Sequence, residues 1–301
     1  MQRGRERVDG GGGAVRGLEP EEALRTLLAE SLPAWIDSGP EDLDLDAWLA
    51  MSAHVPLPPA ERLRRLGAFL DDDADPPCPF EPFAQHQLHE RIYGLALQLD
   101  PASARVWASR SFSAARAVDI VRWMAGDEEA DEAAAIAVRS AREAVRLGPE
   151  LDFAWYCLGR ALYGTDGSLE EAREAFVRAV QLDPGDGWNR VYLAHCDHDL
   201  ERWEEAVAGY EAAIGLISDL QPWRRRLYQQ QRSWCLLRSG RREEALQGFV
   251  EVLGEVEAVG EDAWELGMEE LDLLFKVSQG ALREELYDRV EPLRVAIEGE
   301  D

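Results

Sequence analysis

Residues 195–199 read His-Cys-Asp-His-Asp, and each of these side chain types can ligate a metal ion or hold a proton. His195 and His198 stand three apart, so on a helix they share one face, with Cys196 and Asp199 as further candidate ligands. Geometry argues against an ion: adjacent residues on a helix point in different directions, and no further ligand follows nearby. His86 and His89 repeat the spacing with fewer companions. The expectation is the polar end of a helix with Cys196 turned inward, no bound zinc and no other cofactor. Nothing else in the sequence is arranged to make or break bonds. There is no Gly-x-Ser-x-Gly elbow, and Gly10–Gly13 lacks the strand and the Gly-Lys-Ser/Thr of a phosphate loop.

A second chemistry is carried by arginine. Between Leu220 and Arg242 stand seven arginines (224, 225, 226, 232, 238, 241 and 242) and no acid, interleaved with Trp223, Tyr228 and Trp234. Three readings are open. The arginines can pair with acidic helices next door; they can offer forked donors to a partner's carboxylates; or, with the aromatics, they can hold nucleic acid. The third is disfavoured by the rest of the chain, because 32 Lys plus Arg face 59 Asp plus Glu for a formal net charge of -27. Lys276 is the only lysine, a coding bias of a GC-rich, bacterial genome rather than chemistry.

These side chains need a scaffold, and 301 residues with 46% hydrophobic content suffice for one. No apolar run approaches the ~18 residues needed to span a bilayer. No signal peptide is recognisable, since Gly10–Gly13 interrupts the start where an apolar region belongs. Cys78, Cys157, Cys196 and Cys235 form no CxxC pair, and three of them sit among apolar or aromatic neighbours as small hydrophobes. A cytoplasmic location without membrane insertion is expected.

Apolar residues recur three and four apart almost everywhere after Leu18, which predicts helices and no strand. One phrase is written three times: Ala96-Leu-Gln-Leu-Asp-Pro101, Ala144-Val-Arg-Leu-Gly-Pro149 and Ala179-Val-Gln-Leu-Asp-Pro184. Each is the end of an amphipathic helix, stopped by a proline that cannot continue the hydrogen-bond ladder. A second phrase puts a small residue one turn before an aromatic: Ala172 before Phe176, Ala206 before Tyr210, Ala245 before Phe249. The small residue admits a neighbouring helix and the aromatic fills the space beyond it.

The pattern resembles the tetratricopeptide repeat, a 34-residue helix-turn-helix unit. Trp155, Leu158, Gly159 and Leu162, then Ala172, Phe176, Ala179 and Pro184, match its two helices between Asp152 and about Asp186. The next unit, Gly187 to about Asp219, keeps Leu193, Ala194, Ala206, Tyr210 and Ala213 but has Arg190 at the large-residue position. Leu236, Gly240, Ala245 and Phe249 mark a further unit, and Trp107 marks one beginning at Ala104 with two long helices. The resemblance implies an all-α fold, an α-solenoid of antiparallel helix pairs stacked as a right-handed superhelix. Ahead of it, helices are predicted over Pro20–Ile36, Asp44–Ala53, Pro59–Leu70 and Phe80–Leu99, and after it over Asp262–Ser278 and Leu282–Glu298. The organisation expected is a disordered tail over 1–18, an N-terminal helical region over 19–100, repeats over 101–257 and an acidic helical cap over 258–301.

In such repeats the first helices line a concave groove. Carried over by register, the resemblance implies a groove formed by Arg105, Phe112, Arg116, Tyr156, Arg160, Tyr163, Trp188, His195, His198, Trp234 and Arg238. Phe153, Val191, Asp199 and Gln230 fall at equivalent positions. The set departs from the carboxylate clamp of chaperone-binding members, since Arg160 and His195 stand where Asn belongs. Arg173 is expected on the outer helices. The reading is a non-enzymatic interaction scaffold whose basic, aromatic groove takes an acidic peptide or helix, with oligomeric state left open. Two alternatives remain: a regulatory or sensor module of a signalling or transcription system, and an enzyme or metal protein using the His195/His198 region.

Overall fold

A computed structural model describes residues 18–70, 80–164, 168–217 and 222–259. Cys78 and the two helices expected beyond residue 260 lie outside them. Every regular element among the described residues is a helix: α1 (Pro20–Ser38), α2 (Leu45–Met51), α3 (Pro59–Phe69), α4 (Pro82–Leu99), α5 (Ala104–Ala125), α6 (Asp127–Leu147), α7 (Asp152–Tyr163), α8 (Leu169–Leu182), α9 (Gly187–Asp199), α10 (Trp203–Leu216), α11 (Pro222–Arg238) and α12 (Arg242–Val259). The fold is all-α, built of antiparallel helix pairs. The chain forms two compact units divided after residue 167, one with α1 to α7 and the other with α8 to α12.

The thrice-written stop phrase produces one local structure three times. The carbonyls of Ala96, Ala144 and Ala179 accept from the N–H groups of Asp100, Gly148 and Asp183, each at 2.9 Å. The chain then turns at the proline, and the next first helix ties itself to the turn. Trp107 Nε1 donates to the Pro101 carbonyl at 3.0 Å, and Trp155 Nε1 donates to the Pro149 carbonyl at 2.8 Å. Arg190 replaces the tryptophan in the third instance and does the same work, its Nη2 reaching the Pro184 carbonyl at 3.1 Å. This explains why an arginine is tolerated at a position where the repeat wants a large ring. Helix starts are set by side-chain caps: Ser103 accepts from Val106 N–H, Ser168 from Glu171 N–H, and Asp186 from Trp188 N–H at 2.7 Å.

In the first unit, α1 to α4 bury Leu24, Trp48, Leu63, Leu66, Leu88 and Ile92 in one core. The α5–α6 pair closes on an alanine seam, with Ala108, Ala114, Ala137, Ala141 and Ala144 packed against Ala154, Cys157 and Ala161 of α7. In the second unit the seam is Ala194, Ala206, Ala213 and Ala245, filled out by Tyr210, Tyr228 and Leu236. The approach of α9 and α10 is close enough that a Cβ on Gly209 would lie 2.8 Å from that of Ala194. Gly248 meets Ser233 in the same way at the α11–α12 contact, one repeat later. Ala172 and Ala206 are fully buried, which is the inward face the small-then-aromatic phrase predicts.

Candidate interaction face

In the first unit the face is built by α5 and α7. Phe112 of α5 packs against Phe153 and Tyr156 of α7, with ring centroids 6.0 and 6.3 Å apart, and Phe153 stacks on Tyr156 at 6.2 Å. Two guanidinium groups lie over the Phe112 ring: Arg116 at 5.5 Å, one turn along α5, and Arg160 at 5.9 Å, from α7. Arg160 also donates to the Tyr156 hydroxyl at 3.5 Å. Five residues at face positions therefore meet in one cluster. Arg105 is exposed in the first turn of α5, two turns from Phe112, and Tyr163 is half-buried at the end of α7. A cation held over a ring keeps its N–H groups at the rim, where they can fork onto a carboxylate.

In the second unit α9 and α11 supply the face, in two clusters. His195 Nδ1 lies 2.8 Å from the hydroxyl of the fully buried Tyr210, and its ring also meets Tyr192 and Tyr228 edge-on. This histidine is held on both sides by packing. The second cluster joins His198, Trp203, Trp234 and Arg238. The Arg238 guanidinium lies 4.7 Å over Trp203 and 5.9 Å from Trp234, and His198 packs 5.7 Å from Trp203. Burial lowers the pKa of His198, with Asp199 opposing and Arg238 assisting, so the ring is neutral at pH 7. Trp188 is capped by Arg224 at 5.3 Å.

The His-Cys-Asp-His-Asp run does not converge. Cys196 is fully buried, Asp197 is buried and bonded to Arg173, and Asp199 is exposed, while the two imidazoles belong to different aromatic clusters. Among the described residues no group of three or more His, Cys, Asp or Glu could hold a metal ion. Cys157, Cys196 and Cys235 are buried free thiols, and burial is the main cause raising all three, Cys196 and Cys235 to about 12. None is a thiolate nucleophile at neutral pH.

The structure bears on two sequence readings, the first of which includes pairing of the basic run with acidic helices next door. The basic run is paired within the chain at several points: Arg232 with Glu211 at 2.5 Å, Arg241 with Glu204 and Glu244 at 3.2 and 2.7 Å, and Arg238 with Glu201 at 3.8 Å. Arg173 lies on a second helix, α8, as expected, but is half-buried against Asp197 at 2.5 Å, so it anchors α8 to α9. Trp203 and Arg224 were not singled out for the face although both stack there. Trp203 opens a second helix, where the repeat pattern places no groove residue, and only the turn before it brings it beside Arg238.

No protein-family model matches the sequence, and no curated protein does. Among solved structures, the chain is similar to a crystal structure of MamA at 20% identity, covering 59% of this chain and 92% of that one with a TM-score of 0.47. It is also similar to TTC0263, a thermophilic TPR protein in Thermus thermophilus, at 14% identity, covering 77% and 99% with a TM-score of 0.46. The helix-pair assignment stands on the packing described above. Among the described residues no helix is long and apolar enough to cross a membrane.

Proposed function

We propose that this protein is a non-enzymatic cytoplasmic scaffold whose first-helix faces receive an acidic, partly apolar protein segment. The observation that carries the reading is the placement of Arg116 and Arg160 over the Phe112 ring, beside the stacked Phe153 and Tyr156. Arginine forks take carboxylates and rigid rings take the apolar side chains between them. The charge of -27 repels acidic chains in general, so an acidic segment is held only where arginines are gathered. We read residues 101–257 as the repeats that carry the face, with 19–100 as a helical region ahead of them and 258–301 as a polar cap.

The test is fluorescence anisotropy with a labelled, capped peptide alternating glutamate and leucine. Binding should weaken as salt is added, and Arg160→Glu should weaken it about tenfold, or about 1.4 kcal/mol. Arg139→Glu, on the exposed side of α6, should change it little. A larger loss from Arg139→Glu would move the interface to the second helices.

A further inference from the structure

The α5–α6 pair is longer than the pair that follows it. α5 has 22 residues and α6 has 21, against 12 in α7 and 14 in α8. Both pairs open on the tryptophan anchor (Trp107, Trp155) and close on the stop phrase (Ala144, Ala179), so the excess falls at the turn between α5 and α6. About eight extra residues on each helix, at ~1.5 Å of rise apiece, carry that end roughly 12 Å further. The tip has a core of its own: Ala117, Val118, Val121, Ala130 and Ala133 are buried there, with Phe83 of α4 and Ile120 packed against them. Outside that core stand Trp123, 79% exposed, and Met124, 52% exposed. Among the described residues no other large apolar side chain is as exposed as Trp123.

The charges around the tip decide what can cover it. Residues 119–132 carry six acids and one base. The base, Arg122, lies between two of the acids, 3.3 Å from Asp119 and 3.5 Å from Asp127. Asp127, Glu128 and Glu129 suit the first turn of α6, where the helix dipole favours them. The dipole does not call for Asp131 and Glu132 in the next turn, nor for an indole and a thioether in water beside them. A second copy of the chain would bring the same carboxylates, and a nucleic acid or an anionic membrane would bring phosphates, so all three are repelled. A segment carrying Lys or Arg beside large apolar residues is attracted. Its apolar side chains cover Trp123 and Met124, and its cations reach the indole face and the carboxylates around it.

We propose that the tip of the α5–α6 pair is a docking surface for a basic, partly apolar protein segment, with Trp123 as its anchor. The surface is separate from the first-helix faces and opposite to them in the charge it selects, so it stands whether or not the acidic-partner reading does.

The test is fluorescence anisotropy of the full chain with a labelled, capped peptide alternating lysine and leucine. Any basic peptide is drawn to so acidic a body, so the variants must separate the site from the net charge. Trp123→Ala, which changes no charge, should weaken binding about tenfold. Glu128→Gln with Glu129→Gln should weaken it about threefold, and the equal charge change Glu174→Gln with Glu243→Gln, at exposed carboxylates of α8 and α12, should do less. Circular dichroism verifies that each variant is folded. No binding, an unchanged affinity in Trp123→Ala, or equal losses from the two charge pairs overturns the proposal. The glutamate–leucine peptide should be indifferent to Trp123→Ala; if that peptide is the one weakened, Trp123 belongs to the first-helix face and the separate surface is overturned. Two other occupants are checked directly. A dimer in sedimentation velocity that Trp123→Ala dissolves would assign the tip to a second copy. Lysine–leucine binding that appears only when Arg3, Arg5 and Arg7 are changed to Gln would assign it to the start of this chain. Either result overturns the partner named here.

Discussion

The two units stack arginines on aromatic rings and arrange them differently. In the first, Arg116 and Arg160 both lie over one ring, Phe112, within a cluster of three aromatics. In the second, Arg238 is shared between two tryptophans and a carboxylate, Glu201, and its neighbours Arg232 and Arg241 hold carboxylates of their own. Two of the second unit's carboxylates come from one turn and the helix start after it. The α9–α10 turn carries Glu201 in the left-handed region at φ 57 and is followed by Glu204; Glu201 reaches Arg238 of α11 and Glu204 reaches Arg241 just after it. Gathering arginines in the sequence does not by itself make a receptor; where the acids of the preceding turn fall decides how much of that charge is left for a partner.

Both units depend on alanine seams, so the largest expected effect is on stability. Ala206→Leu in the second unit and Ala144→Leu in the first each put three extra carbons where another helix passes, and each should cost about 1–3 kcal/mol. Urea denaturation measures both. An unchanged midpoint for either would mean that its unit is not closed by the seam assigned to it.

The next effect is on binding, and it tests the comparison directly. Arg160→Glu should weaken the glutamate–leucine peptide about tenfold, and Arg238→Glu only about threefold, because Arg238 already spends part of its charge on Glu201. Equal losses would show that the internal carboxylate does not matter.

The sequence announced the fold through repetition. The stop phrase gave the same cap three times, and the small-then-aromatic phrase named the buried faces of α8, α10 and α12. Expected helix ends ahead of the repeats fall within about two residues of α1 to α4. The contacts among Phe112, Arg116, Tyr156 and Arg160 were legible by register, since these residues come together as their positions imply. Pairings across helices were not legible. Arg173 with Asp197 and Ser113 with His89 each join residues 24 apart, through the rotation of one helix against another, which periodicity does not encode. The alternation of residue types tells which side of a helix is inward, and not which neighbour it meets there.

The units also differ in how acid should affect them. Burial alone would raise Glu61 of α3, but hydrogen bonds and charges from Arg64 and Arg65 outweigh it and hold the carboxyl below its usual range. A depressed carboxylate contributes stability above its unfolded-state pKa and loses it as pH falls through the folded value. Asp197 of α9 is shifted up, because burial outweighs its bond to Arg173, so acidification removes no such contribution there. Glu61→Gln should therefore cost about 1 kcal/mol at pH 7 and little once the carboxyl of the folded wild type is protonated. Asp197→Asn should be neutral or mildly stabilising at pH 7, with its effect fading in acid. Urea titrations across the carboxylate range measure both, and a pH-independent cost of Glu61→Gln would assign that residue a packing role instead.

The smallest effect is the most discriminating. Glu201 and Arg238 are 3.8 Å apart with both side chains well exposed, so their pair is worth little to folding and Glu201→Gln should shift stability by less than about 0.5 kcal/mol. For a partner's carboxylate, however, Glu201 is a competitor stationed beside the Arg238 guanidinium. Neutralising it leaves the cation between Trp203 and Trp234 with its fork unclaimed by that acid, and peptide affinity should rise about two- to threefold, or roughly 0.5 kcal/mol. Any loss of a negative charge raises the affinity of an acidic peptide somewhat by reducing overall repulsion, so the control must change the charge equally elsewhere. Glu243→Gln serves, since that carboxylate is exposed in the first turn of α12. If both substitutions raise affinity alike, the gain is one of net charge and the second unit's face is not a binding surface. If only Glu201→Gln does, Glu201 competes with the partner for Arg238, and Arg238→Glu made in the Glu201→Gln background should then cost more than it does in the wild type.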